Sequence, residues 1–434
     1  MSIADLLPLT IRFDTASAGL SARACQTLHD GWDADGQTIQ LDLRHGEMAA
    51  AARAWAALAE PTRGLEFCTR NMAPDDVLLL AAGAVLRAWS HKPGPRAPLH
   101  LVSPFAEPLR AAWPRMAVAL AGNLFARELV VQPANLLTPT AFVQQLRRLE
   151  QHGVAVEVRG RQRLLRDGYG ALSAVGRAAR SGPYLVTLSL PGPGAPLALV
   201  GKGMCFDTGG ISIKPAGGME AMRADMAGAA ACAGAMLAAA LRGAGPVVAV
   251  LAIAENTTGA DAYRPGDVLR SASGRSIEVV DTDAEGRLAL ADALHHARGF
   301  KPRAMVDVAT LTGSIVTALG HHRAGLFGND DRLRDAVLAA GRITHEKLWP
   351  MPIGARHRED LDSDIADIKQ CTSGRLQPDA CHAAAFLREF AGDVPWAHLD
   401  IAGMDVAEED DPLAAKGMPT GFGARLLDAL VDLA

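Results

Sequence analysis

Strand-length apolar runs, most of them without polar alternation, recur through the chain after residue 150. PYLVTLSL (183–190), LALVG (197–201), PVVAVLAIAEN (246–256), SIEVVDTD (276–283), AMVDVAT (304–310) and WAHLDIAG (396–403) follow an opening VAVEVRG (154–160). Between them lie helical patterns such as MAGAAACAGAMLAAALRG (226–243), GRLALADALHHARGF (286–300) and ACHAAAFLREFA (380–391). A strand that is apolar on both faces has to be covered on both, and intervening helices supply the cover. The pattern therefore implies an α/β fold with a mostly parallel central sheet. In such sheets, sites form in the loops beyond the carboxyl ends of the strands. Lys202, Asp207, Asp283, Glu285 and Thr310 all fall at or just after the ends of these expected strands.

At 434 residues the chain exceeds the size of one growing core, so two domains are expected. The first part reads as a small α/β unit, with helical patterns at MAAAARAWAALAE (48–60) and DDVLLLAAGAVLRAWS (75–90). A strand is expected in APLHLVSPF (97–105), after the turn-rich HKPGPR. A long helix runs from about Pro108 to Val130, and the boundary is placed within it. This gives a small N-terminal α/β domain over 1–115 and a larger α/β domain over 116–434. Thr138 is positioned to cap the next helix and Gly153 to end it.

Hydrophobic residues make up 49% and charged residues 21%, as in ordinary globular proteins. The formal net charge of -5 lacks the basic excess of a nucleic-acid binder. The start, MSIADLLPLTIRF, does not read as a signal peptide, and the alanine-rich run reads as a buried helix and not a membrane span. Six scattered cysteines without a C-x-x-C pair fit a reduced, cytoplasmic setting. Cys205 reads as a small buried hydrophobe in preference to a ligand or nucleophile.

Common catalytic signatures are missing. GKG at 201–203 stands in neither a Walker nor a dinucleotide-binding pattern, HEKLW (345–349) lacks the second histidine of a zincin, and there is no G-x-S-x-G elbow. What remains is a set of acids among small and apolar residues: Asp207 before TGG, Asp225 opening the alanine-rich helix, and DTDAEGRL (281–288). Asp283 and Glu285 stand two apart, so in an extended segment both carboxylates point to one side. Any one of these acids alone reads as a solvated loop residue. Together, like charges in a dry pocket demand a counterion, and divalent cations bound by carboxylates are the natural one.

With those residues in view, VGKGMCFDTGGISIKPAGGMEAMRADMAGAA (200–230) and DTDAEGRLALADAL (281–294) resemble the leucyl aminopeptidase, or cytosol aminopeptidase, family of two-metal exopeptidases. The likeness continues through ARELVVQPANLLTPTAF, AYRPGDVL, DVATLTGSIVTALG, WAHLDIAG and PTGFGARLL, from about Ala126 to the end. The short N-terminal region is similar to the bacterial aminopeptidase B branch.

The resemblance implies that Lys202, Asp207, Asp225 and Glu285 bind one metal and that Asp207, Asp283 and Glu285 bind the other, Asp207 and Glu285 bridging. The ions are zinc, manganese or magnesium in the family. Lys202 serves as a neutral amine, its proton displaced by the dication beside it. A water between the ions attacks the N-terminal peptide bond. Lys214 donates to the developing oxyanion, and Arg287 holds a bicarbonate that acts as general base. Met222, Thr310, Leu311, Gly313 and Ala402 correspond to substrate-contacting positions. The resemblance further implies peptide substrates, a homohexamer built as a dimer of trimers, and no membrane.

Three departures are visible. Asp281 stands where the family has asparagine, and Pro419 where alanine is common. Asp405 follows DIAG where a small or apolar residue is usual, and with the acidic GMDVAEEDDP it raises the expectation of a pocket favouring basic residues. Two other classes compete: a DNA-binding accessory, which the negative charge opposes, and a metallophosphoesterase, which shares the carboxylates but not the motif detail.

Overall fold

A computed structural model describes residues 98–374, 377–411 and 413–434, and before them 7–8, 10–15, 25–27, 29–30, 40–41, 65–69 and 72–92. The helix expected over 48–60 lies outside the described residues. The chain divides into two compact units: Met1–Leu124 with Ala407–Thr420, and Phe125–Val406 with Gly421–Ala434. The division between Leu124 and Phe125 falls inside the long helix Ala106–Val130.

In the first unit, strands β1 (Thr10–Asp14), β2 (Cys25–Thr27), β3 (Leu65–Cys68) and β4 (Pro98–Val102) pair in parallel in the order β1-β4-β3-β2. Helix α1 (Pro74–Ala88) starts with proline in its first turn and carries Asp75 and Asp76 there, which suits the helix dipole. Val77, Leu80, Ala81, Ala84 and Val85 of α1 join Phe13, Leu99 and Leu101 in one core, to which the first part of α2 (Ala106–Val130) contributes Leu109 and Leu120.

The second unit holds an eight-stranded sheet. Its strands are β5 (Ala155–Gly160), β6 (Tyr184–Leu190), β7 (Leu197–Asp207), β8 (Val247–Asn256), β9 (Ala304–Ala309), β10 (Ala324–Gly328), β11 (Leu348–Pro350) and β12 (Trp396–Asp400). They lie in the order β11-β10-β12-β9-β7-β8-β6-β5. The central run β12-β9-β7-β8 is parallel, whereas β10 against β12, β6 against β8 and β5 against β6 are antiparallel. The fold is thus α/β with a mixed sheet around a parallel centre.

Both faces are buried. Along β7, Leu197 and Leu199 enter the core under helices α4 (Ala227–Leu241) and α8 (Ala424–Leu430). Ala198 and Val200 enter the opposite core under α5 (Glu285–Arg298) and α7 (Asp379–Ala391). The two-residue period of a strand divides one apolar run between two layers. The stretch Met219–Leu241 is long and apolar enough to cross a membrane by length and composition, and residues 224–239 within it are all buried inside the fold. Its α4 part is a core helix.

Helix α3 (Pro139–Arg147) is capped by Thr138, whose hydroxyl accepts from Ala141 N at 3.3 Å, and the single 3₁₀ turn after it ends at Gly153 in the left-handed region. Two expectations shift. The run beginning VGK does not turn at Gly201: β7 continues to Asp207, so Lys202 lies within the strand. The strand expected over 276–283 stops at Glu278 and belongs to a separate three-stranded sheet with Val268–Arg270 and Ile368–Lys369.

Candidate metal centre

Lys202 shares the face of β7 that Ala198 and Val200 use, so its side chain runs into the core beneath α5. It is 3% exposed. Gly286, the second residue of α5, makes room for it. A Cβ there would stand 2.7 Å from Lys202 Cε and 2.9 Å from Nζ, so a side chain at 286 would displace the lysine. Its ammonium donates to the Thr310 carbonyl at 2.8 Å and is ion-paired with Asp225 Oδ1 at 2.8 Å and Glu285 Oε1 at 2.9 Å. Burial works against that charge, but Asp225, Glu285 and Asp207 outweigh it and hold Lys202 above the usual lysine range.

Asp207 ends β7. Its Oδ1 accepts from Gly209 N at 2.9 Å and Asn256 Nδ2 at 2.7 Å, and its Oδ2 lies 2.9 Å from Lys214 Nζ. Gly209 turns at φ +86°, where L-residues with side chains are strained, and so brings its amide back to the carboxylate. Asn256, at the end of β8, also donates to the Thr282 carbonyl at 3.0 Å and so joins Asp207 to the acidic loop.

That loop is not extended. Asp281 Oδ1 accepts from Asp283 N at 2.9 Å, a turn follows, and Glu285 is the first residue of α5. The shared side of Asp283 and Glu285 therefore comes from a turn entering a helix and owes nothing to strand alternation. Gln370 anchors the turn from outside, accepting from Val280 N at 2.5 Å and donating to the Asp281 carbonyl at 2.7 Å.

Asp207, Asp225 and Glu285 are all buried, and each offers a carboxylate oxygen within 4.8 Å of the others. Asp283, half-buried, joins through Lys214, which pairs with both Asp207 and Asp283. Burial first, and then the neighbouring acids, raises the Asp225 and Glu285 carboxyls above their ordinary range; burial and Asp207 push Asp283 up to about 7. Lys214 is held above its usual range by Asp207 and Asp283 despite its burial.

Two buried carboxylate oxygens, Asp225 Oδ2 and Glu285 Oε1, accept no hydrogen bond; the 2.9 Å from Glu285 Oε1 to Lys202 is an ion pair without hydrogen-bond geometry. Four acids thus outnumber two lysines, and two oxygens lack donors. Dry oxygen ligands in excess of their counterions fit divalent cations.

The expected neighbours surround this cluster. Arg287, 2% exposed on α5, donates to the Gln370 carbonyl at 3.0 Å and to Asp379 Oδ1 at 2.8 Å, and its Nε has no acceptor. Thr310 follows β9 and donates to Asp225 Oδ1 at 2.7 Å. Met222 lies half-buried in the 3₁₀ turn before Asp225, and its carbonyl accepts from Asp225 N at 3.3 Å. Leu311 packs against the core under α5, Gly313 begins helix α6 (Gly313–Leu319), and Ala402 packs with Ile315 and Phe327.

Asp405 does not stand as a free acid: amides of its own loop, Gly403 and Val406, bond its carboxyl, which burial pushes up to about 6. The acidic run after it belongs to the first unit, where Asp410 pairs with Arg87 at 3.2 Å. Cys205 is buried in the core, and burial raises its thiol well above the ordinary range, as suits an inert side chain. Asn256 and Gln370 are not singled out by any pattern in the sequence. Asn256 leaves a trace there, as the one polar residue besides Glu255 in an apolar strand.

A carboxylate cluster at the carboxyl edge of a parallel strand set, with a lysine threaded into it, defines a protein built to hold divalent cations. Residues 124–428 match the profile of the cytosol aminopeptidase family, catalytic domain, and the chain belongs to that family. A probable cytosol aminopeptidase of Sinorhizobium fredii is 48% identical over 315 residues, covering 71% of this chain and 63% of that protein. A probable cytosol aminopeptidase of Brucella melitensis biotype 1 is 47% identical over 315 residues, 71% of this chain and 64% of its own length. The aligned chain thus spans slightly under two thirds of these relatives. A solved structure described as the bottromycin maturation enzyme BotP in complex with Mn is 34% identical, with a TM-score of 0.85 over 95% of this chain and 99% of its own.

Proposed function

We propose that this protein is a metal-dependent aminopeptidase that removes the N-terminal residue from peptides with the help of two divalent cations. The observation that carries the reading is the buried trio Asp207, Asp225 and Glu285 with two donor-less oxygens. Family membership and the manganese complex of the structural neighbour support it. On this reading Lys202, its ammonium proton released to solvent as the dication enters, would hold one ion together with Asp207, Asp225 and Glu285, and Asp207, Asp283 and Glu285 would hold the other, with manganese, zinc or magnesium as occupants. When bound, such ions polarise a carbonyl and bring the pKa of water toward neutrality.

The chain's own groups do the rest. Lys214, its side chain 20% exposed between Asp207 and Asp283, presents an N–H to the carbonyl oxygen of the scissile bond as it gains charge. Arg287, rigidly held by Gln370 and Asp379, keeps a buried Nε–H in reserve for an anion, which suits a bicarbonate base. Met222, Thr310, Leu311, Gly313 and Ala402 receive the N-terminal residue. Asp405, bonded by its own loop, leaves that selection to the apolar lining. A homohexamer, a cytoplasmic location and kinship with the aminopeptidase B branch complete the reading.

The test is hydrolysis of aminoacyl-anilides (Leu, Arg, Lys, Glu, Met) by metal-stripped protein, with and without Mn²⁺ or Zn²⁺, beside Asp283→Ala. Cation-restored turnover that the variant lacks is the expected result. Silence under every cation refutes the proposal.

A further inference from the structure

Asp400 lies outside the metal centre and takes no part in the proposed chemistry, yet it is fully buried at the carboxyl end of β12. Its oxygens are spent on two loops. Oδ1 accepts from Leu311 N at 3.1 Å and Ala402 N at 3.2 Å, and Oδ2 accepts from Thr312 Oγ1 at 2.7 Å. One carboxylate therefore ties the loop after β9 to the loop after β12. Leu311 and Thr312 directly follow Thr310, which bonds Lys202 through its carbonyl and Asp225 through its hydroxyl.

The tie extends further. Thr312 Oγ1 accepts from Ile315 N at 3.3 Å and so caps α6, and Ser314 Oγ accepts from Ala380 N at 2.8 Å, next to the Asp379 that holds Arg287. Three donors converge on Asp400, and only a group that accepts on both oxygens satisfies them all. An asparagine that keeps Oδ1 on the two amides turns its NH₂ toward Thr312, whose oxygen already accepts from Ile315 and whose own proton then loses its acceptor.

We propose that Asp400 is a positioning residue that sets the spacing between Leu311 and Ala402, the two sides of the pocket receiving the substrate's N-terminal residue. The inference rests on the aminopeptidase reading. It predicts that Asp400→Asn raises KM for Leu-anilide about tenfold while kcat stays within about threefold and cation stoichiometry is unchanged, because bound geometry and not the ion site is disturbed.

Thr312→Val should shift KM the same way. The double variant should lose less than the product of the two, since both act through one bond. If Asp400→Asn does not fold, Thr312→Val carries the test alone, because it leaves both amide bonds of the carboxylate in place. An unchanged KM, or kcat and bound metal falling together, overturns the proposal.

Calorimetric binding of L-leucine to the metal-loaded protein separates the two readings. A wild type that binds leucine without hydrolysing any anilide refutes the aminopeptidase while the Kd ratio of variant to wild type still judges Asp400. A wild type that neither binds nor hydrolyses refutes both.

Discussion

Glu346 and Glu285 are both buried glutamates of the second unit, 4% and 1% exposed, and they differ in what completes them. Glu346 sits at the head of α8. Its Oε1 accepts from Gly423 N and its Oε2 from Leu426 N, each at 2.8 Å, with Arg425 at 3.8 Å. Every oxygen has a donor, the helix start is satisfied, and the charge faces a positive dipole end. Glu285 begins a helix too, but it looks outward at Asp207 and Asp225 and leaves Oε1 without a hydrogen bond. The first carboxylate is finished by the chain; the second is finished by something the chain binds. A buried charge by itself therefore says little about function, and the census of its donors says much more.

Substituting each glutamate should separate the two kinds. Glu285→Gln has the largest expected effect: on the proposed reading a ligand shared by both ions is lost along with several kcal/mol of Lewis-acid assistance, so turnover falls by about 10³-fold or more. Metal analysis by mass spectrometry should show fewer than two ions bound. Glu346→Gln should leave turnover per folded molecule unchanged.

Stability should reverse the order. Glu346→Gln sets an NH₂ against a backbone N–H and should cost about 1–3 kcal/mol in urea unfolding. Glu285→Gln in the metal-free protein removes a like charge and should be neutral or stabilising. Added Mn²⁺ at a hundredfold over its Kd should stabilise wild type by about 2.7 kcal/mol and Glu285→Gln by much less. A metal-free Glu285→Gln protein that unfolds as easily as Glu346→Gln would make the cluster structural and sink the comparison.

The contrast also predicts a pH dependence. Burial and Asp207 raise the folded Asp283 carboxyl from 3.8 to about 7, so between those values the folded chain holds a proton that the unfolded chain has released. Stability of the metal-free protein should therefore be fully present near pH 4 and fall as pH rises toward 7. Asp292, raised to about 7 by its own burial, adds a slope of the same sign. The measure is therefore the difference from Asp283→Asn, whose slope should be shallower. Equal slopes would show that Asp283 does not feel its neighbours.

Much of the fold and of the centre is legible in the chain. Two-sided apolar strands point to the layered α/β fold because burial on both faces leaves no room for alternation, and Asp207, Asp225 and Glu285 stand out as acids in dry surroundings. Less legible are the antiparallel edges. β10 and β11 are short and carry no pattern that separates pairing direction. The path of Lys202 is hidden as well, since a lysine inside a strand reads as a break until Gly286 is seen to admit it. Asn256, Gln370 and Asp400 act through distant partners, and no local spacing reports a bond across 49, 89 or 88 positions of sequence.

Asp281 gives the smallest and sharpest case. An acid where the family has asparagine adds a negative charge beside the expected ligands, and charge alone would make it tune metal affinity. In the structure its side chain instead shapes the turn into α5, where Oδ1 accepts from Asp283 N at 2.9 Å. Asparagine has the same oxygen in the same place, so Asp281→Asn should keep the turn, with turnover within about threefold of wild type and metal affinity nearly constant. Asp281→Ala removes the acceptor and should cost about 10-fold or more in metal affinity, as loss of a group supporting a ligand does. If asparagine weakens metal binding as much as alanine does, the charge and not the turn is what the centre uses, and the line drawn between finished and unfinished carboxylates would have to move to include Asp281.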